Sequence, residues 1–291
     1  MANSLSQPTS FDRAGPTLAA GPIVIAVPHA GRIYPPALIA NARLPRSRLQ
    51  ALEDRLVDRV LSEAAIVDAT QFVARHARAW IDLNRDPREL DPEMIAPAPG
   101  KTDVIATAKV RGGLGLIPRR VAGSGDINAR KLSMADIEAR IASDHEPYHG
   151  AIAEQLAATR ARFGIALLVD CHSMPAIPPG AGGGAPRVVI GDRFGKSADA
   201  RFTDLAMAIG EAAGFAPALN APYAGGYTLD RHGRPAEGIH ALQIEIDRSL
   251  YLDAALETAG PGMARVARWL RTLVMALAQA CRDDGRAMAA E

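Results

Sequence analysis

The chain has 291 residues, and its 33 Lys and Arg nearly balance 32 Asp and Glu, so the formal charge of +1 carries no basic excess for nucleic acid and no charged face for a membrane surface. Apolar residues make up 48%, which is ordinary for a soluble globular chain and enough for one large α/β domain. No apolar run reaches the roughly 18 residues of a membrane span. The two cysteines, Cys171 and Cys281, are far apart, which excludes a disulfide framework and a cysteine-based zinc site.

Met1–Ala20 is polar and lacks the basic-then-apolar layout of a signal peptide. It reads as a flexible arm, and the default location is cytoplasmic. Ile23–Val27 is continuous, β-branched and bounded by Pro22 and Pro28, as a buried strand should be. Pro45 to about Ala65 predicts a helix, with Leu49, Leu52, Leu56, Val60 and Leu61 at helical spacing. Phe72–Ala74 and Ala79–Leu83 predict short strands. Residues 86–126 form a long Pro- and Gly-bearing irregular region, and loops of that length are commonly functional. Ser133 to about Phe163 predicts a helix with Ser133 as N-cap, broken or restarted at Pro147, and with Glu154, Gln155 and Arg160 in solvent. Ile165–Val169 is a strand, Pro175–Pro186 a loop, Arg187–Ile190 a strand and Ala198–Ala213 a helix. Tyr223–Gly238 reads as a polar loop, Ala241–Ile246 as an alternating strand, and Gly262–Cys281 as a closing amphipathic helix. Strands alternating with helices predict a single α/β domain with a mixed, mainly parallel sheet flanked by helices.

Two of these strands end in histidine. Ile23–Val27 runs into Pro28 and His29, and Ile165–Val169 runs into Asp170, Cys171 and His172. Ligands bind at the carboxyl ends of parallel strands. An imidazole two residues from a carboxylate suits a metal ligand with an orienting partner. Together the two histidines favour a metal hydrolase. On the expected helix, Asp54 and Asp58 share a face at i,i+4, so a carboxylate there can complete a His/His/carboxylate zinc site. A solvated acidic helix surface would show the same residues. Asn84 and Arg85, at the end of Ile81-Asp-Leu-Asn84, can fork onto a carboxylate. Strand alternation puts Gln243, Glu245 and Asp247 on one face, which is expensive in a central strand unless it lines a site. Glu245 is then the candidate general base. Two glycines beside Tyr227, Thr228, Arg231 and Arg234 suggest a mobile substrate loop.

Taken together, these segments resemble the N-formylglutamate amidohydrolase family. The resemblance rests on Val27-Pro-His-Ala-Gly31, Asp54-Arg-Leu-Val57, Arg78-Ala-Trp-Ile-Asp-Leu-Asn-Arg85, Gly115-Leu-Ile-Pro118, Pro147-Tyr-His149, Val169-Asp-Cys-His-Ser-Met174, Gly225-Gly-Tyr-Thr228 and Leu242-Gln-Ile-Glu-Ile-Asp-Arg248. It covers about residues 22–255. It implies a zinc-dependent hydrolysis of N-formyl-L-glutamate to formate and glutamate, the last step of one histidine-degradation route. It also implies a fold related to zinc carboxypeptidases and aspartoacylase-type deacylases. Those relatives carry His-x-x-Glu as their first zinc motif, whereas this chain has Arg32 in the fourth position. The carboxylate ligand must come from elsewhere; Asp54 is the choice, with Glu53 and Asp58 as alternatives. The resemblance therefore implies zinc on His29, Asp54 and His172, with Glu245 as base and Arg78 at the oxyanion or a substrate carboxylate. It places Asn84 and Arg85 on the α-carboxylate, and Arg231 or Arg234 with Tyr227 on the side chain. The expected layout is an amidohydrolase domain over 21–282, between a flexible arm (1–20) and a flexible tail (283–291). Its partner would be a small N-acyl amino acid, with neither nucleic acid nor membrane. Two rivals are a deacylase or small peptidase of different acyl specificity and a non-catalytic metal- or carboxylate-binding protein on the same scaffold.

Overall fold

The structure is a computed structural model and describes residues 10–100, 104–179 and 184–288. In chain order its strands are β1 (Phe11–Ala14), β2 (Ile23–Val27), β3 (Thr70–Ala74), β4 (Arg120–Val121), β5 (Gly125–Asp126), β6 (Ala166–Met174), β7 (Val188–Gly191), β8 (Pro217–Leu219) and β9 (Ile239–Asp247). The helices are α1 (Pro36–Asn41), α2 (Arg46–Leu49), α3 (Val57–Ala64), α4 (Ala108–Arg111), α5 (Met134–Arg140), α6 (Glu146–Phe163), α7 (Ala200–Ala212), α8 (Tyr227–His232) and α9 (Met263–Met288). Among the described residues one seven-stranded sheet has the order β1-β3-β2-β6-β9-β7-β8, and β4 and β5 form a separate hairpin. The central β3-β2-β6-β9 block is parallel, while β1 and β7 join it antiparallel. This is the mixed, mainly parallel α/β sheet expected.

The sheet divides its side chains by strand period. Ile25, Val27, Val169, Cys171, Leu242 and Ile244 point to one core with α3, α7 and α9. Along α9, Val266, Leu270, Leu273, Val274 and Leu277 form the apolar stripe that covers this face. On the other face Val24, Ala26, Ala166, Leu168 and Ala241 meet Ile137 of α5 and Tyr148, Ile152 and Leu156 of α6. Farther along the same strands that second face turns polar, because Asp170 and His172 pair in register with Gln243 and Glu245. The chemistry-bearing side chains thus collect at the carboxyl ends of the parallel strands.

Several expectations are corrected by tertiary contacts that override local pattern. The helix expected over Pro45–Ala65 is interrupted, since Glu53 is extended and Leu56 takes a left-handed φ of 62°. Asp54 N–H donates to His29 O at 2.9 Å across the break, so Asp54 sits in a turn and shares no helix face with Asp58. Ala79–Leu83 is not a strand, although Ile81 and Leu83 are buried as a strand's would be. Within the expected loop Tyr223–Gly238 lies α8, and β8 had no signal in its short Pro-Ala-Leu.

The N-terminal arm is not free over its whole length, because β1 pairs along β3 and Arg13 donates to Gln155. That contact also buries Gln155, which the helical pattern placed in solvent. Residues 1–9 lie outside the described residues. The expected tail is helical as far as Met288, and α9 carries it. Ser133 caps α5 through a box with Asp136. A π-turn at Ile141–His145 then precedes Pro147, whose missing N–H suits the restart of the helix. No helix of the described residues is long and apolar enough to cross a membrane.

Candidate active site

His29 lies in the turn after β2, Asp54 in the break before α3, and His172 near the end of β6. All three are buried. Their donor atoms converge: His172 Nδ1 is 3.1 Å from His29 Nδ1 and 2.9 Å from Asp54 Oδ2, and His29 Nδ1 is 3.3 Å from the same oxygen. The far side of each ring is committed. His29 Nε2 donates to Asp82 Oδ1 at 2.6 Å, and His172 Nε2 to Asp170 Oδ2 at 2.9 Å. A neutral imidazole that donates from Nε2 keeps its lone pair on Nδ1. Two lone pairs and a carboxylate oxygen then face one another, an arrangement that repels unless a metal ion, or a proton on one imidazole, joins them. Carboxylate–histidine pairs of this kind orient metal-binding imidazoles, and two imidazoles with a carboxylate form a donor set suited to zinc. Among the described residues these three form a group able to hold a metal ion.

The electrostatics agree with a cationic centre. Burial opposes a charged His172, but Asp170, Asp54 and Glu245 outweigh it and push its pKa well above the usual value. Burial likewise opposes the Asp54 carboxylate, yet His172 and His29 hold its pKa well below the ordinary range. Asp82 is also held low, because Arg78, Arg85 and His29 overcome its burial. Glu245 differs. Its burial dominates, with Asp54 and Asp170 adding to the shift against His172 and Arg78, and its pKa rises to about 7. Glu245 is directly opposite His172 in the β6–β9 register, and Gln243 Nε2 donates to its Oε1 at 3.0 Å.

The remaining residues named from sequence separate into two groups. Arg78 donates from Nε to Asp82 at 2.8 Å, and its terminal amino groups make no hydrogen bond among the described residues. Arg85 is buried, donating to Leu114 O and Asn84 O. Asn84 is an anchor. Its Oδ1 accepts from Thr228 N–H at 2.9 Å, and its amide donates to Gln243 Oε1 at 3.3 Å. Asn84, Arg85, Tyr227 and Arg231 line a cleft of about 510 Å³. Arg234 is not among the cleft's lining residues. It is exposed and pairs with Glu237. Asp58 also lies off the centre, paired with Arg32. Glu53 is buried but accepts from Tyr34 and Arg55.

Sequence reading missed how Asp82 acts, since it orients His29. It also missed Arg248, which donates to Asp54 Oδ1 and Ser173 Oγ and so fixes the carboxylate from behind. The strand-end position of Arg248, three residues after Glu245, was the available signal. The segment bearing Asn84 and Arg85 is held from below by histidines: His149 Nε2 donates to Leu83 O and His145 Nε2 to Arg85 O. His149 Nδ1 in turn meets His232 Nε2 of α8 at 3.0 Å.

Comparison with known proteins accords with this geometry. The family model described as N-formylglutamate amidohydrolase matches residues 21–252. The chain belongs to the N-formylglutamate amidohydrolase family. Membership makes it a hydrolase acting on a linear amide. N-formylglutamate deformylases of Pseudomonas putida and Pseudomonas aeruginosa are each 30% identical to it over 234 residues, covering 80% of this chain and 82% of theirs. The crystal structure of N-formylglutamate amidohydrolase from Ralstonia eutropha JMP134 superposes with a TM-score of 0.86 at 32% identity, covering 95% of this chain and 99% of that one. An Agrobacterium tumefaciens gene product shares the fold, with a TM-score of 0.66 at 21% identity over 94% of this chain and 96% of its own.

Gly226 gives a local test of the Asn84 anchor. A Cβ there would lie 2.4 Å from Asn84 Oδ1, the atom that holds Thr228 N–H. Gly226→Ala should displace the cleft wall and lower kcat/KM at least tenfold, while the apolar faces of the sheet stay intact. Activity assayed beside the circular dichroism spectrum checks this, and wild-type activity would remove the anchor role.

Proposed function

We propose that this chain hydrolyses N-formyl-L-glutamate to formate and L-glutamate with zinc as cofactor, the closing step of a histidine-degradation route. The observation that carries the reading is the convergence of His29 Nδ1, His172 Nδ1 and Asp54 Oδ2, with Glu245 beside them on the next strand. The names of the relatives support the substrate. Zinc held by His29, Asp54 and His172 supplies a Lewis acid that acidifies water and polarises an amide carbonyl.

The chain's own groups do the rest. Glu245 takes a proton from the attacking water and delivers it to the leaving amide nitrogen. A base of this kind works best with a pKa near the working pH, and burial brings Glu245 there. The terminal amino groups of Arg78 meet the carbonyl oxygen as it gains negative charge. Arg85 receives the α-carboxylate, while Asn84 holds the cleft wall behind it. Tyr227 accepts from Arg231 at 2.8 Å, and the pair closes the cleft's rim.

A hydrolysis panel with metal analysis tests the reading. N-formyl-L-glutamate should be cleaved faster than N-formyl-leucine or N-acetyl-glutamate, by protein carrying about one zinc per chain. Preference for the acetyl compound would favour the deacylase reading. Protein that binds the compounds without turnover would favour the non-catalytic one.

A further inference from the structure

Among the described residues four cations line the cleft: Arg85, Lys109, Arg193 and Arg231. Three are engaged. Arg85 donates to two backbone carbonyls, Arg193 pairs with Asp230, and Arg231 donates to Tyr227. The Lys109 side-chain amine makes no hydrogen bond or ion pair among the described residues, while its backbone carbonyl accepts from Leu114 N–H at 2.8 Å. Its place in the cleft is nonetheless built. Thr107 Oγ1 caps α4 by accepting from Val110 N–H and donates to Glu89 Oε2 at 2.7 Å. Just past α4, Leu114 O accepts from Arg85 Nε at 2.8 Å. Two ties therefore fix the backbone of Lys109 against the segment that carries Arg85.

We propose that Lys109 is the contact for the substrate's side-chain carboxylate and so sets the preference for an acidic over a neutral side chain. The inference rests on the N-formylglutamate reading above. A formylated dicarboxylate brings two anions, and Arg85 is assigned to only one of them. Arg234, the other candidate read from sequence, does not line the cleft, while Arg193 and Arg231 are tied to Asp230 and Tyr227.

Although Lys109 is exposed overall, surrounding protein desolvates the amine and Arg85 repels it, lowering its pKa to about 8, with Asp82, Arg78 and Glu245 also acting on it. Those are groups of the reacting centre. A carboxylate lying between Arg85 and Lys109 relieves the repulsion between them.

The test compares kcat/KM for N-formyl-L-glutamate and N-formyl-L-glutamine, which match in shape and differ in side-chain charge, in the wild type, Lys109→Met and Lys109→Arg. The wild type should favour glutamate. Lys109→Met should shrink that preference roughly tenfold to a hundredfold, the worth of one charged contact, through KM more than kcat. Lys109→Arg should retain most of it. An unchanged preference in Lys109→Met overturns the inference and leaves the proposed function standing. A wild type that does not favour glutamate overturns the substrate reading and this inference with it. An equal loss on both substrates would move Lys109 to the α-carboxylate and also overturn it.

Discussion

His29→Ala and His172→Ala should each remove bound zinc and abolish hydrolysis. Each substitution deletes one of three converging donors and leaves a buried carboxylate, Asp82 or Asp170, without its imidazole partner. The fold should persist, because both histidines stand at strand ends above apolar segments that pack on either face of the sheet. Asp54→Ala should behave likewise, whereas Asp58→Ala should keep its zinc, since Asp58 pairs with Arg32 away from the centre. The measurement is zinc per chain together with activity on each purified variant. Full zinc in His172→Ala, or zinc loss in Asp58→Ala, would overturn the donor set. Chelation of the wild type should give the same loss, and added zinc should restore it. Affinity should fall with pH, since protons compete for the imidazoles.

How far the sequence disclosed this site depended on the element carrying each residue. His172 was legible at the end of an apolar run beside Asp170, whereas Gln243 and Glu245 were legible because a strand alternates with period two, and with Asp247 they put three polar side chains on one face of a buried strand, which demands a reason. Here the reason is that β9 is central, between β6 and β7, and its polar face looks onto His172. His29 was legible as the end of a similar apolar run.

Asp54 was chosen for its residue type under a mistaken local structure. Its segment has helical periodicity, and Leu49, Leu52, Val60 and Leu61 are indeed buried. Yet the backbone breaks so that Asp54 can reach the histidines. Long-range bonds from His29, Ser173 and Arg248 decide that geometry, and none of them leaves a periodic trace. Lys109 had still less signal. It lies in the irregular stretch 86–126, and only ties to Glu89 and Arg85 carry it to the cleft. Arg231 and Arg234 looked equivalent on the chain, but α8 ends between them at His232, so one lines the cleft and the other pairs with Glu237.

Glu245→Gln should lower kcat by roughly 10²–10⁴-fold, the usual worth of a positioned base, while zinc content and KM stay close to wild type. The amide keeps the size of the side chain, and its oxygen can still accept from Gln243 Nε2, so the β6–β9 register should hold. What it loses is the ability to accept a proton. Base, ligand and bystander then part cleanly in one sample: a bystander keeps its rate, a ligand loses zinc along with rate, and a base loses rate alone. The pH profile adds a second discriminator. Burial pushes the Glu245 carboxyl up to about 7, and the active form is the carboxylate, present above that pKa. In the wild type kcat/KM should therefore fall as pH drops through the Glu245 pKa. A bound dication favours the carboxylate and draws that limb below 7. In Glu245→Gln this limb should vanish from whatever activity remains. A mutant that keeps both wild-type rate and the acid limb would place the base elsewhere, even though Glu245 sits beside His172.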